Sequence, residues 1–145
     1  MPYIQDSFRR QGLRFTPQRY AVLDYLRKHP CHPTAEEVYK AVNRRDPRAS
    51  LATVYKSLHA LARAGLIREV NLAGNATRFE SVTGPHHHFL CERCGRLEDV
   101  PWFDVPGLAK KARAAPQAVR TWELILRGLC KSCQSRTRGR ANWEN

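Results

Sequence analysis

Two Cys-x-x-Cys pairs, Cys91/Cys94 and Cys130/Cys133, constrain the fold of this chain more than any other feature. Two such pairs can present four thiolates tetrahedrally to one Zn²⁺ at about 2.3 Å, which makes a closed structural site. Because the pairs are far apart in the sequence, a folded segment must lie between them. The predicted elements of that segment are a strand at 97–100, a helix at 106–114 and a strand at 120–129. The sequence therefore predicts a small α/β domain that is closed by one structural zinc ion per chain.

Redox chemistry is the main alternative for these thiols. A redox-active dithiol needs one Cys-x-x-Cys in a βαβ setting, so two matched pairs favour zinc. The fifth cysteine, Cys31, is predicted to be an unpaired small core residue. Residues 1–12 contain no apolar segment typical of an export signal, and no stretch approaches the roughly 18 apolar residues of a membrane helix. We therefore expect reduced cysteines in a cytoplasmic protein that does not enter membranes.

The first half of the chain carries local signals for helices followed by a hairpin. Thr16-Pro17 places a capping hydroxyl before a proline at the first helical position. Thr34 and Glu37 have the spacing of a capping box, and Ser50 can cap a further helix. The predicted elements are helices at 5–12, 17–29, 35–45 and 51–65, strands at 67–72 and 77–82, and a turn at 73–75. The predicted buried side of the last helix consists of Leu51, Val54, Leu58, Leu61 and Leu66. This order is that of a winged helix-turn-helix domain.

The charge of the chain favours a polyanionic partner. Lys and Arg number 25 against 13 Asp and Glu, which gives a formal net charge of +12. Neutralised phosphates release counterions, so such a surplus is typical of nucleic-acid binding, although a solvated surface has the same composition. In a winged helix the last helix of the motif enters the major groove. The candidate contacts to double-stranded DNA are therefore Thr53, Tyr55, Lys56 and His59 on that helix, with Arg14 and Arg19 before it.

A second metal signal begins at Pro85, where three histidines follow in a row. On a strand, the period of two puts His86 and His88 on one face and His87 on the other. Such a run is also common as a polar strand entry. The residues that could complete a site with His86 and His88 are Glu80, Asp99 and His32. Imidazole and carboxylate ligands together suit Fe²⁺, Mn²⁺ or Zn²⁺, and the ligand types alone do not select among these metals.

Taken together, these motifs resemble the ferric uptake regulator family. They run in order from about residue 8 to residue 133 and leave only the tail outside the resemblance. The matching segments are Gly12-Leu-Arg-Phe-Thr-Pro-Gln-Arg19, His32-Pro-Thr-Ala-Glu-Glu-Val-Tyr39, Ser50-Leu-Ala-Thr-Val-Tyr-Lys-Ser-Leu58, Gly65-Leu-Ile, Arg78-Phe-Glu80, His86-His-His-Phe-Leu-Cys-Glu-Arg-Cys-Gly95 and Cys130-x-x-Cys133.

The resemblance implies a homodimeric transcriptional repressor, not an enzyme, that binds palindromic DNA operators when one regulatory Fe²⁺ or Mn²⁺ per chain is bound. The family's regulatory ligands fall on His32, Glu80, His86, His88 and Asp99, and its structural zinc ligands fall on the four paired cysteines. The implied organisation is a winged-helix DNA-binding domain at 1–83, a metal-binding dimerisation domain at 84–135 and a disordered basic tail at 136–145. The fold class is α+β.

Two branches of the family differ at the regulatory ligands. Asp99 and the two Cys pairs resemble the peroxide-responsive branch, in which His32 and His86 would be the oxidised imidazoles. Glu80 resembles the iron-sensing branch, which is the alternative. The zinc-sensing branch supplies a cysteine to its regulatory site, and no cysteine lies near Glu80 in the sequence, which disfavours zinc sensing. Some iron sensors have an additional metal site with a histidine where this chain has Pro85, so we expect no such site here. A non-haem iron enzyme or a dithiol oxidoreductase is a remote alternative, because little chain is left to build a substrate pocket.

Overall fold

A computed structural model of the chain describes residues 2–44, 49–72 and 74–136. The chain forms two compact units, Met1–Gly84 and Pro85–Asn145. The basic tail expected at 136–145 lies outside the described residues from 137 onward. Among the described residues, no helix is long and apolar enough to cross a membrane.

The first unit contains four helices whose N-termini are set by local capping. They are α1 (Pro2–Arg10), α2 (Pro17–Lys28), α3 (Ala35–Val42) and α4 (Leu51–Arg63). Thr16 accepts a hydrogen bond from the backbone N–H of Arg19 at 3.2 Å, and the capping box of Thr34 and Glu37 is complete. Ser50 caps α4 through the N–H of Thr53. These three starts agree with the predicted positions, because each depends on residues within one turn of the helix.

The other helix boundaries differ from the predicted ones. The opening helix begins at Pro2 rather than at residue 5, which is compatible with proline because the first turn needs no backbone N–H from it. Helix α3 ends at Val42, where the Asn43 side chain donates to the carbonyl of Ala49 and accepts from its N–H at 2.9 and 3.2 Å. The predicted continuation to residue 45 enters the segment 45–48, which lies outside the described residues.

A short hairpin follows α4. Strand β1 (Arg68–Val70) pairs antiparallel with β2 (Arg78–Glu80), and Glu69 lies opposite Phe79. Both strands are shorter than the predicted segments 67–72 and 77–82. The sequence predicts a turn at 73–75, of which residue 73 lies outside the described residues. Gly74 has a φ of 75°, a left-handed conformation that glycine adopts without steric cost.

The core of the first unit joins the helices to the hairpin. Its largest fully buried side chains include Phe8, Leu23, Leu26, Leu58, Leu61 and Phe79. Burying one such side chain contributes about 1.5–3 kcal/mol. The predicted buried side of α4 is correct for Val54, Leu58 and Leu61. It is wrong for Leu51, which is 36% exposed at the first position of the helix, and Leu66 is only half-buried.

The second unit is a three-stranded sheet with two short helices. Its elements are β3 (His87–Cys91), β4 (Leu97–Val100), α5 (Leu108–Ala114), β5 (Ile125–Gly128) and α6 (Lys131–Ser135). Strand β3 is central, antiparallel to β4 and parallel to β5. The strand predicted at 120–129 is therefore too long at its start. The N–H of Leu124 donates to the side-chain Nδ1 of His87 on β3 at 3.2 Å rather than to a backbone carbonyl. Helix α6 was not predicted from the sequence.

Candidate metal centres and nucleic-acid interface

The four paired cysteines lie together in the second unit, with their sulfurs within 4.8 Å of one another. The Sγ atoms of Cys94 and Cys130 are 3.7 Å apart. Two sulfurs held at about 2.3 Å from one tetrahedral ion are about 3.8 Å apart. The cluster therefore fits a closed tetrahedral zinc site with four thiolate ligands.

The sheet brings the two pairs together. Cys91 ends β3 and lies opposite Gly128 of β5, so the chain after β5 reaches the first pair directly. The N–H of Cys130 then donates to Cys91 Sγ at 3.3 Å. After Cys94, Gly95 turns the chain back with a φ of 71°, and its N–H donates to the carbonyl of Cys91. Both pairs are thus held by backbone contacts that involve Cys91.

The pKa values of two thiols in the sulfur cluster are shifted in opposite directions. Backbone N–H donation, first from Cys130 and then from Cys94 and Arg93, lowers the pKa of Cys91 to about 6. Burial raises the pKa of Cys133 to about 12, and hydrogen bonding with the neighbouring thiols contributes to the rise. The backbone N–H donors around Cys91 therefore favour its thiolate form. A bound dication would supply the positive charge that four thiolates require.

The second unit supplies three further potential ligands, His86 and His88 from the histidine run and Asp99 from β4, which we call the histidine–aspartate group. The Nε2 atoms of His86 and His88 are 3.1 Å apart, and Asp99 Oδ1 lies 3.4 Å from His86 Nε2 and 3.9 Å from His88 Nε2. Two nitrogens at about 2.1 Å from one ion are about 3.0–3.4 Å apart. The spacing of this group therefore fits coordination of one metal ion. Asp99 reaches the group because it lies opposite His88 in the β3–β4 ladder.

The first unit supplies two further potential ligands, the His32–Glu80 pair. His32 Nε2 lies 3.0 Å from Glu80 Oε2, and both residues are buried. Glu80 is the last residue of β2, and its other oxygen, Oε1, lies 3.1 Å from Arg68 Nε. The Arg68 contact fixes the orientation of the carboxylate and leaves Oε2 directed at His32. Imidazole nitrogen and carboxylate oxygen are again ligands typical of Fe²⁺, Mn²⁺ and Zn²⁺.

His87 is placed differently from its neighbours. Its Nδ1 accepts from the N–H of Leu124, so its Nε2 carries the hydrogen and donates to the carbonyl of Phe103 at 2.9 Å. The ring stacks on Trp102 and Trp122, with centroids 4.6 and 5.6 Å away. Both ring nitrogens are therefore committed within the protein, and His87 serves as a structural residue of the second unit.

The predicted DNA contacts on α4 lie on the side of the helix away from the core. Tyr55, Lys56 and His59 are exposed, whereas Thr53 is half-buried. The Thr53 hydroxyl lies 2.9 Å from Ser50 Oγ and takes part in the capping of the helix. Tyr55 and His59 are stacked one turn apart, with ring centroids separated by 6.2 Å.

The remaining two predicted DNA contacts are on other elements. Arg14 is exposed in the connection before α2, and Arg19 is half-buried in the first turn of α2. One guanidinium nitrogen of Arg19 donates to the carbonyl of Arg14 at 2.7 Å. Arg19 therefore stabilises the connection before α2 in addition to any contact with DNA. Cys31, predicted to be a core residue, is exposed, and the prediction for it is wrong.

Comparison with known proteins identifies the family. A model of the Ferric uptake regulator family matches residues 10–121. The chain belongs to this family. The peroxide operon regulator of Bacillus subtilis (strain 168) is 36% identical over 135 residues, which is 90% of this chain and 91% of the relative. The peroxide-responsive repressor PerR of Staphylococcus aureus (strain Mu50) is 36% identical over 134 residues, 90% of this chain and 88% of the relative.

Solved structures of ferric uptake regulators share the fold. The regulator of Vibrio cholerae superimposes with a TM-score of 0.69 at 27% identity, covering 86% of this chain and 98% of that one. The α+β fold class and the family resemblance predicted from the motifs are thereby confirmed. As a member of the ferric uptake regulator family, this protein is a metal-dependent DNA-binding regulator.

Three carboxylates near the candidate residues were missed by sequence reasoning. Glu36 of α3 accepts a hydrogen bond from the Tyr55 hydroxyl at 3.0 Å, and Glu69 of β1 contacts His59 at 2.7 Å. Glu123 Oε2 lies 3.5 Å from His88 Nδ1. Each contact joins separate segments of the chain, so no spacing within one helix or strand could have indicated it.

Proposed function

We propose that this ferric uptake regulator family member is a transcriptional repressor that senses hydrogen peroxide. The observation that carries the proposal is Asp99, whose carboxylate lies 3.4 Å from His86 Nε2 in the histidine–aspartate group. An aspartate at this ligand position is the feature by which the sequence resembles the peroxide-responsive branch. The peroxide-responsive relatives, at 36% identity over 90% of the chain, support the same assignment.

We further propose that the His32–Glu80 pair and the histidine–aspartate group bind one regulatory metal ion together. The pair offers two ligands and the group offers three, and a sixfold or fivefold oxygen and nitrogen environment suits Fe²⁺ or Mn²⁺. Such an ion would take ligands from both units, and its binding would therefore change the populations of their arrangements. The structural zinc would remain bound by the four cysteines throughout.

The remaining assignments follow from this role. Residues 1–83 would read DNA, with α4 in the major groove and the hairpin beside the backbone. Residues 84–135 would form the dimerisation domain, and a homodimer would recognise a palindromic operator because its two reading helices are related by twofold symmetry. The protein would act in the cytoplasm as a regulator rather than as an enzyme.

Peroxide sensing is tested by comparing metals. The zinc-containing protein is loaded anaerobically with Fe²⁺ or with Mn²⁺, and its binding to a palindromic duplex selected from a random library is measured before and after a low dose of hydrogen peroxide. Mass spectrometry of the His32 and His86 peptides follows. We expect only the iron form to release DNA and only its histidine peptides to gain the mass of one oxygen atom.

Other outcomes separate the alternatives. If both loaded forms stay bound and unmodified, peroxide sensing is wrong, and the iron-availability role indicated by Glu80 takes its place. In that case DNA binding should follow the free Fe²⁺ concentration alone. Reaction with peroxide should stop after about one event per site, whereas continued turnover with an added substrate would indicate an enzyme.

A further inference from the structure

A contact between α4 and the hairpin involves His59, one of the predicted DNA-contacting residues. His59 Nδ1 on α4 is 2.7 Å from Glu69 Oε1 on β1, and the side chains are 51% and 29% exposed. The imidazole ring stacks with Tyr55 and meets the edge of Phe79 at a centroid distance of 6.4 Å. The ring is therefore held on three sides: by a carboxylate, by its neighbour on α4 and by the core residue opposite Glu69 in the hairpin.

The carboxylate determines which nitrogen of His59 is available to a partner. An ionised carboxylate only accepts hydrogen bonds, so Nδ1 carries the hydrogen that is shared with Glu69. The remaining nitrogen, Nε2, is the atom through which the ring can contact another molecule. Without Glu69 the ring could exchange its two nitrogens by rotation or by a change of tautomer. Glu69 thus confers a single orientation on a side chain that is half exposed.

The position of His59 indicates which part of DNA it meets. Residues near the N-terminus of a recognition helix contact base edges, and the hairpin of a winged helix lies along the backbone. His59 lies in the later part of α4 (Leu51–Arg63) and is bound to the hairpin itself. The side chain therefore lies where the two elements would flank a phosphate rather than a base pair.

We propose that Glu69 is a positioning residue that directs Nε2 of His59 to a phosphate oxygen of bound DNA. This inference rests on the proposed role of α4 in DNA binding. Two anionic acceptors, one at each ring nitrogen, require two N–H donors, so the bound ring is an imidazolium. The arrangement is a carboxylate–imidazolium–phosphate chain in which Glu69 contributes orientation and His59 contributes the phosphate contact. Because phosphate contacts do not depend on sequence, the contribution is the same on every duplex.

A double-mutant cycle on the full-length, zinc-containing, Mn²⁺-loaded protein tests this arrangement. The variants are His59→Ala, Glu69→Gln and the double substitution. The probes are a palindromic duplex selected with the wild-type protein and a scrambled duplex of the same length. Dissociation constants are measured over a range of salt concentrations. Asp24→Asn is the matched control, because it removes a surface ion pair of the same unit, with Lys28 at 2.8 Å.

The expected results are specific to positioning. His59→Ala should lower the slope of log K against log salt by about one on both duplexes, because one phosphate contact is lost. Glu69→Gln should weaken binding on the order of threefold or more in the wild-type background and have no such effect once His59 is alanine. Asp24→Asn should leave the affinity and the salt slope unchanged. Thermal unfolding of each variant checks that the fold is retained.

Three results would overturn the proposal. His59→Ala could leave the salt slope unchanged, which would mean that the ring contacts no phosphate. Glu69→Gln could have the same effect in both backgrounds, which would mean that its charge acts on DNA directly and not through His59. If the loaded wild-type protein bound neither the selected nor the scrambled duplex, the proposed function would fail together with this inference.

Discussion

The hydroxyl of Tyr55 illustrates how one residue of the DNA-binding face is set by a distant carboxylate. Tyr55 donates its only hydroxyl hydrogen to Glu36 at 3.0 Å, so towards any other group this oxygen can only accept. Backbone N–H donation at Glu36 itself, and to a smaller extent the hydrogen bond from Tyr55, lower the pKa of Glu36. The same hydrogen bond raises the pKa of Tyr55. The pKa shift of Tyr55 therefore reports mainly this hydrogen bond, whereas the pKa shift of Glu36 reports it only in part.

Replacing Glu36 by Gln should lower the pKa of Tyr55 towards its ordinary value, because the neutral amide no longer stabilises the protonated phenol. NMR titration of ring-labelled tyrosine would follow Tyr55, and Tyr3, which is 79% exposed, is the internal control. The lowered pKa of Glu36 also makes the stability of the wild-type fold depend on pH. The ionised Glu36 side chain stabilises the fold above the pKa that it has in the unfolded chain, and this contribution is lost as the pH falls through the pKa that it has in the folded protein. An unchanged Tyr55 titration in the variant would show that the hydrogen bond is absent in solution.

At the scale of the helix, two of the three leucines of α4 have opposite environments. Leu58 is fully buried in the core of the first unit, whereas Leu51 is 36% exposed. Leu58→Ala should lower the free energy of unfolding by about 2–5 kcal/mol, because it leaves a cavity among packed side chains. Leu51→Ala should change the free energy of unfolding by about 0.5 kcal/mol or less. Urea unfolding of the zinc-containing protein measures both, and equal effects would contradict the described packing of α4.

The helices and strands also show which parts of the fold can be predicted from the sequence. The starts of α2, α3 and α4 were predicted because Thr16, Thr34 and Ser50 act within one turn. The start of β5 was not predicted, because the residue before it, Leu124, donates its N–H to the side chain of His87 on β3. The burial of Leu51 was wrongly predicted because periodicity does not tell where a helix leaves the core.

In the candidate sites, too, the features that depend on neighbouring residues were predicted from the sequence, and the contacts between distant segments were not. The two Cys-x-x-Cys pairs are local motifs, and the cluster they form was predicted from spacing. The approach of Asp99 to His86 and His88 depends on the register of β3 and β4. The sequence could name Asp99 only as one possible ligand, and the family resemblance then assigned it to the site. The contacts of Glu69 and Glu123 join separate segments of the chain and were not predicted at all.

For the whole molecule, the two units depend on different sources of stability. The first unit has a core of large apolar side chains. Among the described residues, the buried hydrophobic residues of the second unit are Leu90, Leu97 and three of the four clustered cysteines. Trp102, Phe103 and Leu126 of the second unit remain 38–42% exposed. A small unit with so little core needs a metal or a partner subunit to be stable.

Zinc removal should therefore affect the two units differently. Cys91→Ser removes one of the four clustered thiols, and a structural zinc is part of the folding free energy of the domain that binds it. We expect this variant to lose zinc, to lose the dispersed NMR signals of residues 85–136 and to become monomeric, while the core signals of the first unit, such as those of Leu58 and Phe79, keep their positions. Zinc analysis, NMR and sedimentation velocity measure the three effects.

Cys31→Ser is the matched control, because Cys31 is exposed and lies outside the four-cysteine cluster. This variant should retain one zinc ion per chain and the dimer. Loss of the core signals of the first unit in Cys91→Ser would contradict the independence of its core. Retention of the second unit without zinc would show that its strands and the contacts of His87 with Leu124 and Phe103 are sufficient for folding, and the zinc would then have to serve a role other than structural support.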